Sequence, residues 1–116
     1  MRILVADDNK AVRDGIEKIL AEETAWEICG VASDGSEALS KTRELKPDLV
    51  LLDLQMPSGN GLDIARAVKQ EMPQITVLIM SHNALSAGAF GYIDKRKLSS
   101  DIPALLRTIE CQVNHP

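Results

Sequence analysis

The sequence predicts an α/β fold, a parallel sheet covered by helices on both faces, and two observations carry that prediction. Apolar runs of strand length alternate along the chain with stretches of helical periodicity, and most of the runs are apolar throughout, as strands buried on both faces must be. Polar groups then stand at the carboxyl ends of four of the five strands: Asp7-Asp8, Asp53, Ser81 and Lys95. Open parallel sheets bind ligands at that edge, so these side chains define a candidate site.

Arg2–Ala6 is the first strand and stops at Asp7-Asp8. Asn9 caps the helix that follows, with Val12, Ile16, Ile19 and Leu20 on one face. Trp26–Ala32 is a second strand of mixed polarity, which places it near a sheet edge. Asp34 and Glu37 form a capping box that opens a helix with Ala38, Leu39, Thr42 and Leu45 inward, ended by Lys46-Pro47. Leu49–Leu52 is the most apolar strand and delivers Asp53 into a turn, Met56 to Gly61, in which Ser58-Gly59-Asn60-Gly61 tolerate positive φ. A third helix runs from Leu62 to Met72, stopped by Pro73, with Leu62, Ala65, Val68 and Met72 on one side. Ile75–Met80 and Phe90–Asp94 are the fourth and fifth strands. A last helix covers Ser100–Val113, with Pro103 in its first turn, where the missing amide costs nothing.

Composition narrows the function. The chain has 116 residues, 45% of them hydrophobic, which suits one domain spanning 1–116 with one core. Its net charge of −4, with no basic stripe, argues against direct nucleic-acid binding. Trp26, Phe90 and Tyr92 are the only aromatics, too few for base stacking. No apolar run approaches the roughly 20 residues that span a bilayer, and the start has no signal-peptide pattern, so a cytoplasmic location with no membrane contact is expected. Cys29 and Cys111 stand alone, without metal-site or redox spacing.

The strand-end residues have a shared chemistry. Asp7, Asp8 and Asp53 would repel one another unless a cation joined them, and carboxylates with water and a carbonyl suit Mg²⁺. Lys95 supplies a compact positive charge and Ser81 a hydroxyl donor, both able to meet phosphoryl oxygens. Asp53 is then placed to act as a nucleophile toward phosphorus. A dinucleotide enzyme lacks its glycine fingerprint here, because the first strand runs into Asp7-Asp8-Asn9. A phosphatase with an aspartate nucleophile would need a second acid nearby, which Gln55 cannot supply.

ILVADDN at the first strand, DGSEAL at the second helix, PDLVLLDLQMPSGNGL, the Ser81 strand end and AGAFGYIDK stand in an order that resembles the response regulator receiver domain of two-component signalling, over nearly the whole chain. The wording of Glu27–Leu39 and Gly88–Lys95 is most similar to receivers that precede a helix-turn-helix DNA-binding domain; no such domain is recognised in these residues. The resemblance implies a flavodoxin-like five-stranded sheet of order 2-1-3-4-5. It implies that Asp53 accepts phosphate from a sensor histidine kinase, in a self-catalysed transfer rather than as a turnover enzyme. Asp8, Asp53 and the Gln55 backbone carbonyl would bind Mg²⁺, with Asp7 acting through water. Lys95 would pair with the phosphoryl group, and Ser81 and Tyr92 would form the switch pair.

The chain departs from that pattern in one place. Only nine residues, Ser81 to Ala89, separate the fourth strand from the fifth, where a crossover with its helix takes at least 10 to 12. Nine extended residues reach about 30 Å, enough to return along a strand but not to coil. The fourth helix is therefore expected to be shortened or absent, exposing core beside the third helix. A partner or second copy could cover that core, and a strained link of this kind invites exchange of the fifth strand and last helix, so a homodimer, swapped or unswapped, is expected. The alternative function is a receiver-like interaction module that keeps the acidic site and signals weakly or independently of phosphorylation.

Overall fold

The computed structural model describes residues 1–54, 56, 61–81 and 91–113, with the backbone alone at 91, 92 and 110–113. Five strands form one parallel sheet: β1 (Arg2–Ala6), β2 (Glu27–Ala32), β3 (Leu49–Asp53), β4 (Thr76–Ser81) and β5 (Gly91–Asp94), in the order β2-β1-β3-β4-β5. Helices α1 (Lys10–Ala21), α2 (Gly35–Leu45), α3 (Gly61–Glu71) and α4 (Leu98–Val113) cover it. Both the sheet order and the two-sided cover agree with the expectation from sequence. Residues 82–90, where the shortened crossover helix and its exposed core are expected, lie outside the described residues.

Alternation along each strand divides the core into two layers. Ile3 and Val5, Leu49 and Leu51, Leu78 and Met80, and Ile93 face one way, onto Ile16 and Leu20 of α1 and Ile102 and Leu106 of α4. Leu4 and Ala6, Val50 and Leu52, and Val77 and Ile79 face the other way, onto Ala38 of α2 and Ala65 and Val68 of α3. β3 lies at the centre and is buried at every position, Asp53 included. At roughly 25 cal/mol per Å² of apolar surface, its four aliphatic side chains contribute about 6–12 kcal/mol to holding the layers together.

Local signals set the helix ends. The Asn9 side chain accepts from the amides of Ala11 and Val12, and that of Asp34 accepts from Glu37. The Glu37 carboxylate reaches the Ser33 amide at 2.8 Å, one residue before the position a standard capping box uses. α2 ends at Lys46, which is left-handed at φ 47°, ψ 62°, and its amide bonds to the Thr42 carbonyl. Arg2 then binds the carbonyls of Leu45 and Lys46, which helix geometry leaves without partners.

Several boundaries differ from the sequence reading. Trp26 precedes β2 and is buried in the α1–α4 layer, where Arg107 stacks 5.7 Å from its ring centroid. β2 is an edge strand, as expected, and carries a bulge: Ile3 pairs with Ile28 but Leu4 with Gly30, so Cys29 is the extra residue. β4 starts at Thr76 and takes in Ser81. α4 begins at Leu98, after a 3-10 turn over Lys95–Lys97, so Pro103 falls in the second turn rather than the first. There it removes a helical hydrogen bond, a cost met by the burial of Ile102 and Leu106 on either side.

The left-handed Lys46 should be a removable strain. Lys46→Gly is expected to raise unfolding stability by about 0.5–1 kcal/mol, the difference between glycine's freedom at positive φ and its larger entropy loss. Urea unfolding of the two proteins would show it, and an equal or lower midpoint for the variant would mean that the cap carries no strain.

Candidate functional site

Register brings the polar strand ends together. Ala6 is paired with Leu52, so Asp7 follows one strand at the level where Asp53 ends its neighbour. Asp53 is paired with Met80, and Ser81 with Asp94, which puts Ser81 one step beyond Asp53 and Lys95 one step beyond that. Asp7 and Asp53 continue the alternation of the α1–α4 layer, while Ser81 continues that of the α2–α3 layer. By that alternation Asp7 and Asp53 lie toward one layer and Ser81 toward the other.

Asp7 is fully buried and Asp53 nearly so, whereas Asp8 is exposed. One carboxylate oxygen from each lies within 4.8 Å of the other two. Lys95 Nζ stands 2.9 Å from Asp7 Oδ2 and 3.2 Å from Asp53 Oδ1, with only 13% of its side chain exposed. Among the described residues Asp7 Oδ2 has no partner apart from this close contact with the ammonium. Burial opposes the charge on Lys95, but Asp7 and Asp53 outweigh it and hold the amine above the usual lysine pKa. One ammonium among three carboxylates leaves the cluster net negative. An all-oxygen donor set of that spacing fits a hard divalent cation such as Mg²⁺.

The backbone around the acids is closely held. The Asp7 amide bonds to the Ala32 carbonyl at 3.0 Å, and Asp7 Oδ1 accepts from the Asn9 amide at 2.8 Å. After Asp53, the Leu54 amide bonds to the Met80 carbonyl and the Leu54 carbonyl accepts from the Gly61 amide. Gly61 is a glycine for want of space: a Cβ there would stand 2.7 Å from the Asp53 carbonyl oxygen and from Leu54 Cα. The sequence places Gly61 in a turn that tolerates positive φ, but the close approach of α3 to the end of β3 is the actual constraint.

Of the residues read from sequence, Asp7, Asp8, Asp53 and Lys95 converge, and Ser81 is 7% exposed at the adjacent strand end. Gln55 and the side chain of Tyr92 lie outside the described residues. Two groups went unread. Asp94, directly before Lys95, accepts from the Arg96 amide and from both Nε and Nη2 of its guanidinium at 2.8–3.0 Å, and so shapes the turn that carries Lys95. Arg13, one turn into α1, donates to the Asp7 carbonyl. Its partner lies six positions back, outside the i, i+3 and i, i+4 pairs that a helical pattern carries.

Two measurements follow from this geometry. The Arg96 side chain holds the Asp94 carboxyl down at about 2. A depressed folded pKa contributes stability above the ordinary value near 3.8, lost as pH falls through about 2. Arg96→Met should return Asp94 toward 3.8 in a carboxyl-carbon NMR titration, and an unmoved midpoint would remove Arg96 as the cause. Lys95→Met strands two buried carboxylates and should cost about 3 kcal/mol by urea unfolding in chelator, with part recovered in Mg²⁺. An identical loss in both buffers would show that Lys95 and a cation do not share these partners.

Comparison with known proteins agrees with the fold. Residues 3–107 match the family model described as the response regulator receiver domain. The response regulator protein VraR of Staphylococcus aureus is 36% identical over 115 residues, covering 92% of this chain and 55% of its own length, so the chain spans about half of that relative. Among solved structures, the response regulator domain of Thermotoga maritima CheB is 27% identical with a TM-score of 0.80, covering 100% of this chain and 98% of that one. The isolated receiver domain of RcsB from Salmonella enterica serovar Typhimurium, solved with the phosphomimetic BeF3-, has a TM-score of 0.87 at 24% identity, covers 95% of this chain and 88% of that one, and shares the fold. With strand order, an acidic cluster at the sheet's carboxyl edge and a family match over most of its length, the chain belongs to the response regulator receiver domains.

Proposed function

We propose that the protein receives a phosphoryl group on Asp53 from the phosphohistidine of a sensor kinase, and that this modification changes its surface or its association with a second copy. The observation that supports this reading best is the contact of Asp53 with Lys95 beside Asp7 and Asp8. A buried carboxylate at a strand end is held between a fixed cation and an acidic pair suited to a metal.

In the proposed transfer an Asp53 carboxylate oxygen attacks phosphorus, the bond from phosphorus to the kinase imidazole nitrogen breaks, and that nitrogen keeps the electron pair. Asp8, Asp53 and the Gln55 carbonyl would hold Mg²⁺, with Asp7 reached through water; when bound, the ion neutralises charge on the phosphoryl oxygens. Lys95 stays within reach of a phosphoryl oxygen because Asp7, which is buried, keeps the ammonium in the pocket. The Ser81 hydroxyl meets another oxygen from the opposite layer, and Ser81 with Tyr92 is the proposed switch pair. Asp7, Asp8, Asp53 and Lys95 stand together without a phosphoryl group, so in this reading little of the transfer barrier goes into reorganising them. Residues 1–116 act as one receiver unit in this reading, in the cytoplasm with its kinase, and the protein is a phosphoacceptor rather than an enzyme with turnover.

Intact mass after incubation with acetyl phosphate and Mg²⁺ is the test. One phosphoryl group is expected, absent from Asp53→Asn and from a chelated sample, with light scattering of the modified protein reporting any dimer. A folded protein that binds Mg²⁺ but gains no mass would refute the transfer and leave the interaction module in its place.

A further inference from the structure

We propose that Arg13 is a positioning residue of this site, fixing the turn between β1 and α1 through Asp7 and thereby setting the direction from which Asp8 meets a cation. The inference rests on the proposed function and adds a residue that acts through the acids rather than on the phosphoryl group.

Arg13 stands where a positive charge is otherwise unfavourable. It lies in the first turns of α1, at the end of the helix dipole that repels cations, and beside a pocket suited to a divalent ion. Among the described residues it forms no ion pair that would offset this. Its guanidinium instead turns back along the helix, and Nη1 donates to the Asp7 carbonyl at 2.5 Å in a partly buried contact. The Arg13 amide meanwhile bonds to the Asn9 carbonyl at 3.1 Å, so both ends of the residue hold the same turn.

With that bond Asp7 is anchored at four points. Its amide is on Ala32, its Oδ1 on the Asn9 amide, its Oδ2 beside Lys95, and its carbonyl on Arg13. The fourth anchor matters for Asp8. The peptide joining Asp7 to Asp8 is planar, so holding its oxygen fixes where the Asp8 Cα begins. Asp8 is exposed, and its carboxylate makes no hydrogen bond among the described residues, so its aim depends on the backbone beneath it. Among the described residues Arg13 is thus the one side chain that holds that peptide.

Deleting the charge and deleting the anchor change cation affinity in opposite directions, which makes the proposal testable. Removing a nearby positive charge alone would tighten Mg²⁺ binding. Removing a positioning contact behind a ligand weakens binding, typically by tenfold or more. Mg²⁺ titrations by calorimetry on the wild type, Arg13→Met and Arg13→Lys, with amide exchange of Asp8 and Asn9 followed by NMR in metal-free buffer, separate the two. Arg13→Met is expected to bind Mg²⁺ about tenfold more weakly and to exchange the Asn9 amide, which is bonded to Asp7 Oδ1, faster, with much of both restored in Arg13→Lys, which keeps a long donor. Unchanged or tighter binding by Arg13→Met overturns the inference, and Arg13→Gln is read the same way if Arg13→Met does not fold. A wild type that binds no Mg²⁺ overturns the proposed function itself, whereas a wild type that binds beside an indifferent Arg13→Met overturns this inference alone.

Discussion

The contact of Lys95 with Asp7 and Asp53 is the interaction on which the rest of the site depends. Two carboxylates buried to this degree would be costly without a partner, and the ammonium lies within about 3 Å of both. It brings the end of β5 against the ends of β1 and β3, across the intervening β4. The same contact leaves the cluster short of positive charge, and that deficit suits it to a divalent cation. Stability and receptivity therefore come from one arrangement: enough positive charge to fold, too little to satisfy the acids.

Such an arrangement needs rigid surroundings. β3 is buried on both faces, so the position of Asp53 is set by the packing of two helical layers rather than by a loop. Gly61 lets α3 start against the backbone of Asp53 and Leu54. Asn9 and Arg13 hold the Asp7 turn, and Asp94 with Arg96 holds the turn that carries Lys95. The side chains nearest the proposed chemistry are few: Asp53 stands on a packed strand, and Asp7 and Lys95 stand at turns held by hydrogen bonds.

Much of this was legible in the sequence because it is local. Apolar runs of strand length, caps at Asn9 and Asp34, and a proline after Lys46 are short-range signals, and they placed the elements to within about two residues. The strand ends named Asp7, Asp8, Asp53, Ser81 and Lys95 for the same reason: a strand delivers its last residue to the sheet edge wherever that strand sits. Pro103 falls outside the expected first turn because α4 starts two residues early, directly after a 3-10 turn whose cap, Asp94, is itself a local signal. Gly61 was assigned a torsional role when its actual constraint is the distance between two backbones.

The sequence by itself determined the class of fold and which side chains reach the carboxyl edge, because periodicity and residue type act over a few positions. Tertiary structure alone decided which of those side chains touch, that Asp7 is buried and Asp8 exposed, and that Arg13 reaches back to a carbonyl. These follow from strand order, from the register that sets Asp53 level with Met80 and Ser81 level with Asp94, and from the approach of helices to strand ends. Contacts of that kind join residues up to 88 positions apart, as Lys95 and Asp7 are, and no local pattern carries them.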